Sequence, residues 1–428
     1  MPRVPDSMAV LRGREFRLLF GAQAVSVLGD RMVAVALAFA VLSVDGSASS
    51  VGIVLAARTL PLVACLLAGG VVADRVSRRA VMVVSDVVRV ASQGATAALL
   101  LSGGAHVWNL AALAAVTGAA TGFFNPASTG LLPAIVPLEQ LQQANGLRAT
   151  AMSTGEILGP VLAGVLVAAA GAGWAIAVDA ATFAGSAAFL AGLRAVPVGP
   201  RASTSFWHEL RDGWGAFRAR TWVWGFVACA ALGNVVWGAW STLGPVVADR
   251  DLGGAAVWGT ILAAMGVGAL AGSVVAVRAR PARPLLVSSL IGLLMAVPMA
   301  LLAAGAPAAL VAVGAVGAGA SMMLGNSLWE STLQHNVPPE ALSRVSSYDW
   351  FGSIAFTPIG YILWGPLADL IGIQAALWAA CALLLVSNLA MLSVADIRRL
   401  TWARPDPSPA ARGRRRGGPG LATRRTDG

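Results

Sequence analysis

Asp30 and Arg31 stand side by side within the first long apolar run of the chain; Arg58 lies in the second and Glu156 in the fifth. Charges in such surroundings are costly, so each marks either a working group or a permanent ion pair. At 1.5 Å per residue, Arg31 and Arg58 lie about 15–20 Å from the outer ends of their runs, in one layer with Asp30. That depth predicts an Asp30–Arg58 ion pair or an Asp30–Arg31–Arg58 cluster. A carboxylate so placed can take up and release a proton, because desolvation favours its neutral form and a guanidinium its charged one. Asp30 is the first candidate for proton coupling, and the alternative is a permanent structural pair between the first two helices. Glu156, about 18 Å up the fifth run from its inner end, is the second candidate. Asp86 and Arg89, spaced i,i+3, read as a local pair. Glu330 and Asp349 read as gating partners of Arg148 or Arg344, and Asp179 as structural. The histidines (His106, His208, His335) are scattered over different loops, and Cys65, Cys229 and Cys381 sit in apolar segments as small hydrophobes. No metal and no cofactor is expected.

These side chains need a membrane scaffold. Of 428 residues, 57% are hydrophobic and 12% charged; with the 49 glycines, about two-thirds of the chain is apolar, against about half in soluble domains. So few charges cannot cover a water-soluble surface, which excludes a cytosolic enzyme, a nucleic-acid module and a disordered protein. Twelve apolar stretches are long enough to span a bilayer as helices: about 17–43, 48–72, 79–102, 107–132, 144–170, 173–196, 217–247, 254–277, 284–304, 307–333, 343–368 and 373–396. An all-α integral membrane protein is therefore expected. Its parts are an N-terminal segment 1–16, a six-helix bundle 17–196, a linker 197–216, a second bundle 217–396 and an Arg-rich tail 397–428. The excess of positive charge, all of it Arg, falls at both ends and in alternate loops, which predicts that both termini are cytoplasmic. The outer loops carry essentially one, Arg250, between Asp249 and Asp251. An offset of 201 residues relates the halves: Asn125 to Asn326, Pro137 to Pro338, Glu139 to Glu340, Gly159 to Gly360 and Gly164 to Gly365. Two six-helix halves in parallel register form a known transporter architecture.

Between the second and third spans, Gly70, Asp74, Arg75, Arg78 and Arg79 set an acid at a helix end among three arginines. This stretch resembles the cytoplasmic loop signature of the major facilitator superfamily, with Ser77 where the family usually has Gly. The resemblance implies that Asp74 and the arginines form a charge latch against the start of the eleventh helix, holding an outward-facing state, with Asp86 and Arg89 bracing it. In the fifth span Gly146, Gly155, Gly159, Pro160, Ala163 and Gly164 are similar to the family's antiporter signature, with one Gly replaced by Ala. Leu28-Gly29-Asp30-Arg31, Asp86 with Arg89, Asn125-Pro126-Ala127, Ala144-Asn145-Gly146 and Asp179-Ala180 resemble the branch of macrolide efflux proteins and the enterobactin exporter. By that resemblance the first, fourth, seventh and tenth helices line a central cavity, to which Phe123, Phe124, Asn125, Asn234, Trp237, Asn326 and Trp329 would contribute.

The expected function is secondary active efflux of a hydrophobic or amphipathic small molecule, a drug, antibiotic or siderophore, by proton antiport and alternating access. No ATP-binding loop is present in a sequence without Lys, so energy must come from a gradient or a partner protein. A facilitator or importer of a small metabolite is the alternative within transport, and an integral-membrane lipid-modifying enzyme the alternative outside it. The partners expected are the transported molecule, protons and the lipid of a bacterial inner membrane, with no nucleic acid; the chain is expected to act as a monomer.

Overall fold

A computed structural model describes residues 9–194, 214–215 and 217–401; the side chains of several residues near Asp74 and Arg344, those two and Gly70 included, lie outside that description. The linker expected at 197–216 falls almost wholly outside it, as do residues 1–8 and the tail beyond 401. Twelve helices are long and apolar enough to cross a membrane, and among the described residues there is no strand. They are α1 (Arg14–Val44), α2 (Ala48–Arg75), α3 (Arg78–Ser102), α4 (Val107–Ile135), α5 (Leu141–Ala170) and α6 (Ala172–Ala191), then α7 (Thr221–Val247), α8 (Ala255–Arg278), α9 (Pro284–Ala303), α10 (Ala308–Asn336), α11 (in two segments, Pro339–Ile354 and Thr357–Ile371) and α12 (Ile373–Ser393). A short helix, Ala395–Arg399, follows α12. We call the face where α1 begins and α12 ends the near face, and the opposite one the far face.

Local chemistry accounts for most helix ends. Ser47 caps α2 by accepting from the Ser50 amide at 3.1 Å, and the His106 amide donates to Asn109 at 2.9 Å at the start of α4. Beside the first cap, hydrogen bonds from Ser47 and Ser50 hold the exposed Asp45 carboxyl below the usual carboxylate range. Gly171 joins α5 to α6 at φ +90°, and Gly372, 201 residues later, joins α11 to α12 at φ +89°. A residue with a Cβ would be strained in that left-handed conformation, so the repeat preserves a turn as well as helices. Proline explains the irregular spans. Pro298 cannot donate to residue 294, and α9 passes through a 3-10 turn at Leu293–Met295. Pro358 likewise releases Ile354, and α11 comes as two segments, α11a (Pro339–Ile354) and α11b (Thr357–Ile371). By contrast α4 runs unbroken through Pro126 and Pro133, and α5 through Pro160.

The cores reveal how the halves meet. One large buried cluster occupies the far side and draws on both: Val33, Val41 and Val51 pack in it with Leu243, Trp258 and Trp364. On the near side there are two separate clusters, one around Phe16, Met82 and Leu131, the other around Trp222, Trp329 and Leu333. Among the described residues the molecule is therefore zipped at the far face and parted at the near face. Two glycine seams make the zipper. A Cβ at Gly164 of α5 would lie 2.6 Å from the Ala255 carbonyl of α8, and one at Gly365 of α11b would lie 2.7 Å from the Ala48 carbonyl of α2. Gly164 and Gly365 are repeat partners at the offset of 201, so each half offers the same small residue to the other's helix start. Beside these seams the Arg250 guanidinium donates to the Gly46 carbonyl at 3.3 Å, and Ser49 donates to Asp369.

Candidate functional site

Neighbouring residues on a helix point about 100° apart, and this separates Asp30 from Arg31. Asp30 turns towards α2 and α3. Its carboxylate meets Arg58 Nη2 at 3.4 Å and Arg89 Nη1 at 3.7 Å. Arg31 turns towards α5, where Gly159 leaves room: a Cβ there would lie 2.5 Å from that of Arg31. Arg31 then pairs with Glu156 at 2.9 Å. Of the two arrangements expected from depth alone, the Asp30–Arg58 pair is present and Arg31 lies outside it.

Arg89 pairs with Asp86, as its spacing predicts, and reaches further. Its guanidinium is sandwiched between the rings of Phe124 and Phe183, 4.2 and 4.3 Å from their centroids, and reaches Asp30 beyond. Stacking on two aromatic faces compensates a cation for lost water. Phe124 is consequently buried, whereas Asn125 is exposed and Phe123 half-buried. Asp86 is fully buried, and so is Asp179 of α6, whose Oδ2 accepts from Gln93 Nε2 at 2.6 Å. Gly29 permits this approach: any Cβ at that position would collide with Asp179 Oδ1 and Thr182 Oγ1. The layer at the centre of the first six helices thus holds three carboxylates, Asp30, Asp86 and Asp179, and two guanidiniums, Arg58 and Arg89.

The near-face arginines reach the carbonyls of neighbouring helices. Arg78 donates to the Gly130 carbonyl of α4, and Arg79 to the Leu190 carbonyl of α6 at 3.1 Å and to that of Ala191. Cations at helix C-termini satisfy the last carbonyls and the dipole. These contacts tie Arg78 to α4 and Arg79 to the end of α6. Arg75 is exposed. The Asp74 part of the expected latch lies outside the described residues.

Small residues of the expected antiporter signature do two jobs. A Cβ at Gly155 would lie 2.7 Å from Val27 Cγ1, and Gly159 faces Arg31, so these two seat α5 on α1. Pro160 and Gly164 face α8 across the far-side seam, while Gly146 has nothing within 4 Å.

In the second half a cavity of about 450 Å³ opens between α7, α10 and α11a. Asn234, Asn326, Glu330 and Asp349 give it polar walls, and Phe226 lies flat on Trp329 at 3.7 Å between centroids. Trp329 Nε1 donates to Asp349 at 2.9 Å, and Asn234 accepts from Thr357 at 3.1 Å. Among the ion pairs of the described residues none joins Glu330 or Asp349 to Arg148, and the Arg344 side chain lies outside those residues. Trp237 lines a different and much smaller void of about 20 Å³ in the far-side core, with Trp240 and Met265, and so is not part of this wall. An amide-and-carboxylate wall facing stacked aromatic rings suits an amphipathic guest.

Comparison with known proteins agrees with this architecture. The family model described as Major Facilitator Superfamily matches residues 19–353. The chain is 26% identical over 407 residues to the multidrug efflux pump Tap of Mycolicibacterium fortuitum, covering 92% of this chain and 98% of that one. It is 24% identical over 207 residues to macrolide efflux protein A of Streptococcus pyogenes, covering 48% and 51% respectively. Among solved structures, the nucleoside transporter NupG superposes with a TM-score of 0.70 at 14% identity, over 90% of this chain and all of that one. A bacterial homologue of the lysosomal transporter Spinster, in an inward-facing occupied conformation, superposes with a TM-score of 0.68 at 13% identity, over 91% and 98%.

Proposed function

We infer the activity from one premise: the chain belongs to the Major Facilitator Superfamily, and is a multi-pass membrane transporter rather than an enzyme. On that footing it is an exporter of hydrophobic or amphipathic small molecules of the drug or antibiotic class, driven by proton antiport. The bundles 17–196 and 217–396 rock about the midplane, closing the far face and the near face in turn.

The observation that carries this reading is Asp30, a carboxylate shared by Arg58 and Arg89 yet still 29% exposed. A group fully sealed with its partners would be a structural pair. One that keeps access while touching two cations can exchange a proton and alter the packing of α1 against α2 and α3 as it does so. Arg31–Glu156 supplies a second exchangeable pair on the α1–α5 seam, 41% and 32% exposed. The guest enters the cavity between α7, α10 and α11a while the near face is open. Arginine enrichment of the near-face loops supports a cytoplasmic near face, with the protein in the inner membrane of a bacterial cell. The efflux activities named for Tap and for macrolide efflux protein A support the direction.

Everted vesicles containing the full chain test this. With respiration acidifying the lumen, erythromycin or ethidium accumulates above vesicles lacking the protein, and a proton ionophore abolishes the difference. Uptake of both compounds that is indifferent to the ionophore, or equal to the control, contradicts the reading.

A further inference from the structure

The charged layer in the first half does not balance. Asp30, Asp86 and Asp179 face only Arg58 and Arg89, so full ionisation leaves one uncompensated negative charge near the middle of a membrane domain. The deficit is not made good from neighbouring elements. α5 contributes Glu156, already paired with Arg31 of α1, α4 contributes Thr117 and Phe124, and α6 contributes no other charge. An isolated buried charge is far more costly than its protonated form.

The three carboxylates are unequal. Asp30 meets two guanidiniums, and Asp86 accepts from Arg89. Asp179, wholly buried, has no guanidinium within 4.0 Å among the described residues; its one hydrogen-bond partner is the neutral amide of Gln93. Its Oδ1, against the α1 backbone at Gly29, has no hydrogen-bond partner among the described residues; Asp86 Oδ2 has none either, but its carboxyl shares the Arg89 guanidinium. An ionised carboxylate at Asp179 would hold a bare, buried, anionic oxygen. A neutral carboxyl would not.

We propose that Asp179 carries the proton of this layer and is the proton reservoir of the exchange, with Asp30 as its port. The inference rests on the antiport reading above. The step balances: Asp179 gives its proton to the Asp30 carboxylate one residue from Gly29, and Asp30 releases it to water on the open face. No covalent bond other than O–H is broken or made. Loading on the opposite face reverses the order. This assigns Asp179 a working role where its sequence context suggests only structure.

Infrared spectroscopy of the purified full chain at neutral pH tests the assignment without a transported molecule. A protonated carboxyl has a C=O stretch well separated from that of a carboxylate. The difference between wild type and Asp179→Asn contains this band, and the difference between wild type and Glu156→Gln does not. Gln93→Leu leaves every charge in place but removes the amide donor, so the band moves to higher wavenumber. That arm locates the proton even if Asp179→Asn fails to fold. No difference band for Asp179→Asn, or a band unmoved by Gln93→Leu, overturns the proposal. A correct band together with gradient-independent transport removes the antiport reading and keeps the proton; a missing band with gradient-driven transport does the reverse.

Discussion

Gly164→Ala places one methyl group in the far-side seam. Its carbon would stand 2.6 Å from the Ala255 carbonyl oxygen and 3.0 Å from Ala256 Cα, both backbone atoms with no rotamer to relax. Restoring ordinary contact needs a separation of about 0.5–0.8 Å between α5 and α8, and overpacking of this kind costs about 1–3 kcal/mol. The intrinsic helix preference for Ala acts equally in every conformation and cancels. The clash exists only while the far face is zipped, so the equilibrium moves about 5–150-fold towards the state with the near face closed. Spin labels at Leu138→Cys and Gln334→Cys, in a chain with Cys65, Cys229 and Cys381 replaced by Ala, read the near-face opening. Pulsed dipolar spectroscopy should show the shorter distance gaining population. Gly365→Ala, its repeat partner against Ala48, should act in the same direction, and Gly94→Ala, with nothing within 4 Å, should not. A distance distribution in Gly164→Ala indistinguishable from that of Gly94→Ala refutes the seam as the element that holds the far face shut.

Further outcomes follow from the charged layer. Asp30→Asn should retain downhill exchange of erythromycin in proteoliposomes and lose its response to a pH gradient; an undiminished response removes Asp30 from coupling. Arg89→Met strands the fully buried Asp86 without its guanidinium, a loss of about 3–5 kcal/mol, so the melting temperature in detergent should fall steeply; an unchanged value would mean the pair contributes little. In a double-mutant cycle, Arg31→Gln and Glu156→Gln should show a coupling of no more than about 1 kcal/mol in thermal stability, because both side chains remain part-exposed; several kcal/mol would indicate a dry environment.

Depth was legible in the amino-acid pattern, and azimuth was not. Apolar length fixes where a span crosses, and α1 at Arg14–Val44 lies close to the stretch 17–43 read from hydropathy. The same counting puts Asp30, Arg31 and Arg58 in one layer, and Asp30 and Arg58 do meet. It cannot say that Arg31 turns away to Glu156, because a 100° rotation decides the partner and depends on how α5 seats against α1. Arg89 shows the limit again: i,i+3 spacing gives Asp86, while the reach to Asp30 and the stacking on Phe124 and Phe183 depend on three other helices. For the same reason the adjacent Phe123 and Phe124 differ, the first half-buried and the second buried. Some missed features did leave a signal. Gly171 and Gly372 obey the offset of 201, and Pro298 and Pro358 mark the irregular points of α9 and α11. In α4, by contrast, Pro126 and Pro133 leave the helix intact.

The sharpest measurement pairs the near-face labels with a far-face pair, Ser102→Cys and Ala304→Cys, in proteoliposomes of fixed orientation. Distances are recorded as pH is stepped through neutrality, with and without Asp30→Asn. Alternating access gated by the charged layer predicts that one distance lengthens as the other shortens, and that both become insensitive to pH in the variant. Distances that change together, or a reciprocal response that survives Asp30→Asn intact, would contradict it.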